Sequence, residues 1–157
     1  MKFCTTAVVA ITLFSACADL VGAPSADQRV VGVIEWQPSV PADTWRDVLA
    51  APDTVAAGAA FDVTIATVGR RECWRQDGAD VAYETKLAVV TPYDLVMTKV
   101  DGAPVGCAEM LVQLPRTVRL VFGQTGVATL RVRGRRVTGG ELSSATPATV
   151  EKQIVVR

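Results

Sequence analysis

The sequence predicts an all-β protein folded as an antiparallel sandwich. Three observations carry that expectation. Period-two alternation of apolar and polar residues recurs along the chain, turn signals separate the alternating runs about every eight to twelve residues, and no long stretch after the first sixteen carries a helical period.

Each element has its own signal. VVGVIEW at 30–36 is a short candidate strand. WRDVLAA at 45–51 is a further strand, with a helical turn capped by Asp43 or Thr44 as its alternative. FDVTIATV at 61–68 sets Phe61, Val63 and Ile65 against Asp62 and Thr64. VAYETKLAVV at 81–90 reads as one strand, with Val81, Tyr83, Leu87 and Val89 pointing one way and Glu84 and Lys86 the other. TVRLVF at 117–122 alternates Val118, Leu120 and Phe122 against Arg119. VATLRVRGR at 127–135 sets Ala128, Leu130 and Val132 against Thr129, Arg131 and Arg133, and EKQIVVR closes the chain. Asp77-Gly78 and Asp101-Gly102 are pairs favoured in two-residue hairpin turns, because both central positions of such a turn take positive φ. Gly139-Gly140 is a looser turn. Pro92 and Pro115 lack a ladder N–H and predict strand switches or edge positions.

The stretch APDTVAAGAAFDVTIATVG at 51–69 resembles the opening of many bacterial immunoglobulin-like domains. There, a Pro-led short strand and a glycine turn precede a strongly alternating strand. The resemblance implies an immunoglobulin-like β-sandwich, placed here at residues 29–157.

The chain opens with MKFCTTAVVAITLFSAC. One early positive charge, Lys2, precedes an apolar run over 3–14 and the small residues Ser15 and Ala16, the order found in a secretory signal. The run is shorter than the roughly 20 apolar residues a membrane-spanning helix needs. Residues 1–16 are therefore expected to form a helical signal peptide. Phe14-Ser15-Ala16-Cys17 resembles the lipobox of bacterial lipoproteins, although Phe14 stands where Leu is commonest. The resemblance implies a diacylglyceryl thioether on Cys17, cleavage before it and acylation, usually with palmitate, of the new amino terminus. Ala18, rather than Asp, implies the outer membrane in Gram-negative systems. One acyl chain anchors only marginally, at about 0.8 kcal/mol per buried CH₂, so two or three chains are needed to hold the protein firmly. ADLVGAPSADQ follows, small, polar and Pro/Gly-containing, so residues 17–28 read as the lipidated cysteine and a flexible tether with a reach of about 18 Å.

Of the four cysteines, Cys4 leaves with the leader and Cys17 carries lipid. Cys73 and Cys107 remain. In an oxidising compartment such a pair is expected to bridge, tying together the ends of the segment between them. A redox pair would want Cys-x-x-Cys and a βαβ context, and neither is present.

Composition narrows the chemistry. The chain has no histidine, so the commonest general base and metal ligand is missing. Lys and Arg total 16 and Asp and Glu total 16; losing Lys2 leaves 15 against 16, a net charge of −1 for the mature part. That balance offers no global attraction to nucleic acid. RQDGAD, with Glu72 and Glu84 nearby, matches no EF-hand spacing. No serine sits in Gly-x-Ser-x-Gly. No catalytic residue, metal or cofactor is expected, and the protein is not expected to be an enzyme. LRVRGRR places Arg131, Arg133 and Arg135 on one strand face, with Arg136 following. If the strand carrying Arg116 and Arg119 lies alongside, a basic strip results that could meet lipid headgroups, anionic polysaccharide or an acidic protein. Otherwise these are solvated residues paired to Asp and Glu across strands. Trp36 and Trp45, in WQPSVPADTW, either seal one end of a sandwich or offer a stacking surface.

The expectation is a lipid-anchored, non-enzymatic lipoprotein of the cell envelope that binds an envelope protein or glycan or serves a structural role. A loop-based protease inhibitor is the alternative, and a hydrolase is a third. The lipid is directly testable: expression of the full chain with labelled palmitate should label the natural protein and leave Cys17→Ser unlabelled. Equal label in both would remove the anchor.

Overall fold

The structure, a computed structural model, describes residues 27–37, 47–97, 99–100, 103–104, 106–138 and 144–157. Cys17, Trp45, Asp101-Gly102 and Gly139-Gly140 lie outside them. The described chain is all-β. In order its strands are β1 (Asp27–Val31), β2 (Val33–Gln37), β3 (Leu49–Ala50), β4 (Thr54–Val55), β5 (Ala60–Arg70), β6 (Trp74–Glu84), β7 (Leu87–Met97), β8 (Lys99–Val100), β9 (Ala103–Pro104), β10 (Leu111–Val121), β11 (Gly126–Thr138) and β12 (Thr146–Val156). Apart from the small β8–β9 pair they form one curled sheet. No helix among the described residues is long and apolar enough to cross a membrane.

Apolar alternation turns one face of the curl inward. Val63, Ile65, Ala88, Val90, Leu120, Leu130, Val132 and Ile154 pack there, drawn from β5, β7, β10, β11 and β12. Burying each such Val, Leu or Ile side chain contributes about 1.5–3 kcal/mol, which makes this core the main source of stability. Phe61 stacks on Phe122 at one end, with ring centroids 5.7 Å apart.

The sheet forks in the middle. β11 runs parallel to β7 over Thr129–Val132, then parts from it and runs parallel to β2 from Arg135. β7 continues beside β1 instead. Gly32 sits in the fork, so VVGVIEW forms two strands with different partners rather than one. Its N–H donates to Pro92 O at 2.9 Å and its carbonyl accepts from Arg135 N at 3.0 Å. A Cβ here would lie 2.3 Å from Thr67 Cγ2 and 3.0 Å from Asp94 Oδ2, so glycine is required by close approach. Pro92 marks the point where β7 changes partners, and Pro115 lies on β10, whose ladder runs only to β5.

One predicted turn and one predicted strand are corrected. Asp77-Gly78 lies inside β6, where the register against β7 slips between Gln76 and Ala79, and Gly78 has φ +74°. The dipeptide makes a β-bulge rather than a hairpin. The hairpin falls at Thr85-Lys86, splitting the predicted 81–90 strand into the end of β6 and the start of β7. Positive φ is what Asp-Gly supplies, and a bulge uses it as readily as a turn does. In WRDVLAA, only Leu49–Ala50 is strand, and the ladder pairs it with β5.

β6 and β10 end the path of ladders, and the curl brings them close without backbone pairing among the described residues. Side chains close the seam. Arg116 Nη1 donates to Gly78 O at 2.8 Å, and Tyr83 Oη accepts from Val121 N at 3.3 Å.

Cys73 and Cys107 form a disulfide, with Cα atoms 5.5 Å apart. It joins the β5–β6 turn to the segment entering β10. Trp74 turns from the buried Cys73 onto the face of Gly69, where an added Cβ would meet Trp74 Cβ at 2.6 Å and the indole Cγ at 2.8 Å. Because the core is independent of the bridge, reduction should lower the melting temperature by the equivalent of about 2–4 kcal/mol while the sheet persists at room temperature. Circular dichroism with and without reductant reads this; loss of the β spectrum at 25 °C would show that the bridge creates the fold.

Candidate functional site

The most concentrated polar chemistry lies inside the fold. Arg116 on β10 is 6% exposed, and Asp94 on β7 and Thr67 on β5 are fully buried. All three sit where strand parity points inward. Arg116 follows the face of Val118 and Leu120, and Asp94 that of Ala88 and Val90. Arg116 Nη2 bonds Asp94 Oδ1 and donates to Thr67 Oγ1 at 2.5 Å; Thr67 Oγ1 in turn donates to Asp94 Oδ1 at 2.9 Å. Nη1 reaches Gly78 O and Tyr93 O. One guanidinium thus joins β10 to β5, β6 and β7. The β6 bulge has a purpose in this arrangement, because it turns the Gly78 carbonyl towards Arg116.

Burial pushes the Asp94 carboxyl above the ordinary aspartate range, while Arg116, Thr67 and the charge of Arg135 pull it back. Arg135 is half-buried; burial pushes its guanidinium down and Asp94 opposes that shift. This constellation has the hallmarks of a structural clamp. Its charges are sealed behind strands, and among the described residues no group of three or more Cys, Asp or Glu is placed to hold a metal.

The structure separates the predicted arginine strip. β10 pairs with β5, whereas β11 pairs with β12, β7 and β2, so Arg116 and Arg119 are not beside Arg131, Arg133 and Arg135. Arg116 is internal. Arg119 is exposed across from Asp62 on β5. Arg131 pairs with Glu151 at 2.6 Å, and Arg136 pairs with Glu35. Arg133 stands exposed opposite Thr149, and Arg135 turns towards Asp94 at the bulge in β11. Trp36 packs half-buried against Val33, Val68 and Val137.

Exposed apolar side chains mark a different place. The disulfide end of the curl holds Arg70, Trp74, Met97 and Leu111. The opposite end holds Ala60, the Thr85-Lys86 turn, Val121, Gly126 and Val156. Of five exposed large hydrophobics among the described residues, Tyr83, Val121, Val127 and Val155 lie at this far end and only Met110 at the disulfide end. Val127 and Val155 are direct cross-strand partners on the outer face of β11 and β12. The uncharged turn AAGAA at 56–60 lies beside them, held by Gly58 N to Phe122 O at 2.8 Å and Ala57 N to Arg157 O at 2.7 Å. The sequence carried a signal for these valines that alternation alone conceals: Val127 and Val155 occupy outward positions in strands whose other outward residues, Pro147 apart, are polar.

No protein-family model, curated protein or solved structure matches this chain.

The clamp yields a pH-dependent test. Arg116→Met leaves Asp94 buried without its main partner, so its carboxyl rises further. The native state then binds a proton more tightly than the unfolded chain, whose aspartates titrate near about 3.9. The cost of Arg116→Met should therefore be small at pH 4 and grow as pH rises. Asp94→Asn removes the titrating carboxyl altogether, so its cost, about 3–5 kcal/mol, should not grow as pH rises from 4 to 7. Urea unfolding at the two pH values separates them. Parallel losses in both variants would show that Asp94 is not the titrating group.

Proposed function

We propose that the chain is a lipid-anchored, non-enzymatic binding module of the cell envelope, built on an immunoglobulin-like sandwich and displaying its far end to a protein or glycan partner. The observation that carries this is the asymmetry of the fold. Among the described residues, four of the five exposed large hydrophobics lie at the far end, whereas β1 begins at Asp27, at the disulfide end, where the segment from Cys17 joins. Exposed apolar side chains grouped in neighbouring pairs, here Tyr83 with Val121 and Val127 with Val155, mark an interaction site more often than single scattered ones do. The lipobox resemblance supports the anchor, and the Cys73–Cys107 bridge suits an oxidising compartment. Within the all-β curl, the change of partner from β1 to β2 across Gly32 supports the sandwich, since it lets one edge segment serve both halves of the sheet.

The test is capture from envelope extracts. Val127→Lys with Val155→Glu keeps a favourable cross-strand pair and, on an exposed face, should alter stability by no more than about 0.5 kcal/mol. The natural chain should retain a partner that this variant loses, and an Arg119→Gln, Arg133→Gln variant should keep it. Capture unaffected by the valine changes would reject the far end as the binding surface. Stoichiometric inhibition of a secreted protease by the natural chain would favour the inhibitor instead.

A further inference from the structure

We infer that the disulfide end of the sheet rests on the interface of the phospholipid bilayer holding Cys17, with Met110, Trp74 and Met97 turned towards it and the far end directed away. The inference rests on the lipid-anchor proposal and adds to it an orientation and a contact surface.

The first argument is reach. Residues 17–26 are the ten residues between the lipid attachment point and β1. Fully extended they span at most about 35 Å, and as a coil about 18 Å. β5, β6, β7 and β10 are each 11 residues long, so the curl measures about 35 Å from end to end. β1 enters at the disulfide end: Asp27 lies across from Met97, bonds Arg75, and lines a small open pocket with Glu72, Cys73, Trp74 and Leu95. Met97 N donates to Cys73 O at 2.8 Å. The far end could touch the same bilayer only if the whole tether ran fully extended along the domain. With coil-like reach, the disulfide end is the one that meets it.

The second argument is the chemistry of that end. Met110 is 57% exposed, and its carbonyl accepts from Arg71 N at 2.9 Å, which brings an apolar side chain beside an exposed arginine. Trp74 and Met97 are half-buried at the same end. Indole, thioether and arginine stem are groups that sit well at the headgroup level, with the apolar part down and the polar part in water. Charge of both signs is present there: Arg70, Arg71, Arg75 and Lys99 share this end with Asp27, Glu72 and Glu109, and Arg75 bonds Asp27. The contact is therefore amphipathic and needs no anionic lipid.

The full-length protein, matured and lipidated, is placed in vesicles of neutral phosphatidylcholine doped with a photoactivatable phosphatidylcholine, and cross-links are mapped by mass spectrometry. The expected result is a several-fold excess of cross-links on residues 70–75, 97 and 108–112 over Tyr83 and residues 121–127. The same pattern should appear when a third of the lipid is phosphatidylglycerol. Lipid mass on Cys17 together with cross-links confined to the far end, or absent from the domain, would overturn the orientation while leaving the anchor intact. Cross-links at the disulfide end only with phosphatidylglycerol would overturn the amphipathic contact. Absence of lipid mass on Cys17 would remove the anchor, and the orientation with it.

Discussion

The ion pair between Arg116 and Asp94 is the interaction on which the rest of the fold converges. It lies beneath the fork in the sheet, where β7 leaves β11 and Gly32 fills the gap. A charged pair in such a place costs a great deal of hydration, and the attraction within it offsets that cost only when the remaining hydrogen-bonding positions are filled. Here Thr67, Gly78 O and Tyr93 O fill the positions around Asp94 Oδ1 and the two Nη atoms, while Asp94 Oδ2 and Arg116 Nε are buried without a hydrogen bond. An apolar pair of similar volume could stabilise as much. What the ion pair adds is register: the guanidinium reaches its partners only if β5, β6, β7 and β10 are all in place.

Several apparent irregularities become intelligible from that centre. The bulge at Asp77-Gly78 aims a carbonyl at Arg116. Gly32 is glycine because Asp94 and Thr67 occupy the space a side chain would need. The seam between β6 and β10 holds without a ladder, since Arg116 on one side and Tyr83 on the other bridge it. Side-chain closure also leaves two strand edges facing each other instead of open solution, which reduces the hazard of edge-to-edge association.

The two ends of the curl differ in character. The disulfide end is cross-linked, holds the Asp27–Arg75 ion pair and is the point of entry for β1. The far end carries four of the exposed large apolar side chains among the described residues and is held by backbone bonds between turns.

The sequence by itself determined the all-β class, the inward faces of β5, β10 and β11, and the Cys73–Cys107 pairing, because alternation and cysteine count are local or nearly local properties. The clamp left a trace only at Arg116, which holds the inward parity of Val118 and Leu120; the alternation read over 81–90 favoured the face of Leu87 and Val89, whereas Asp94 shares the buried face of Ala88 and Val90. Which charge meets which was not legible, because twenty-one residues and a change of strand lie between them. The fork, the seam and the dispersal of the arginines were decided only in three dimensions. Alternation tells a strand which face to bury and says nothing of which strand lies beside it. Parity sends Arg116 inward and Arg131 outward, but only the neighbouring strands supply Asp94 to the one and Glu151 to the other.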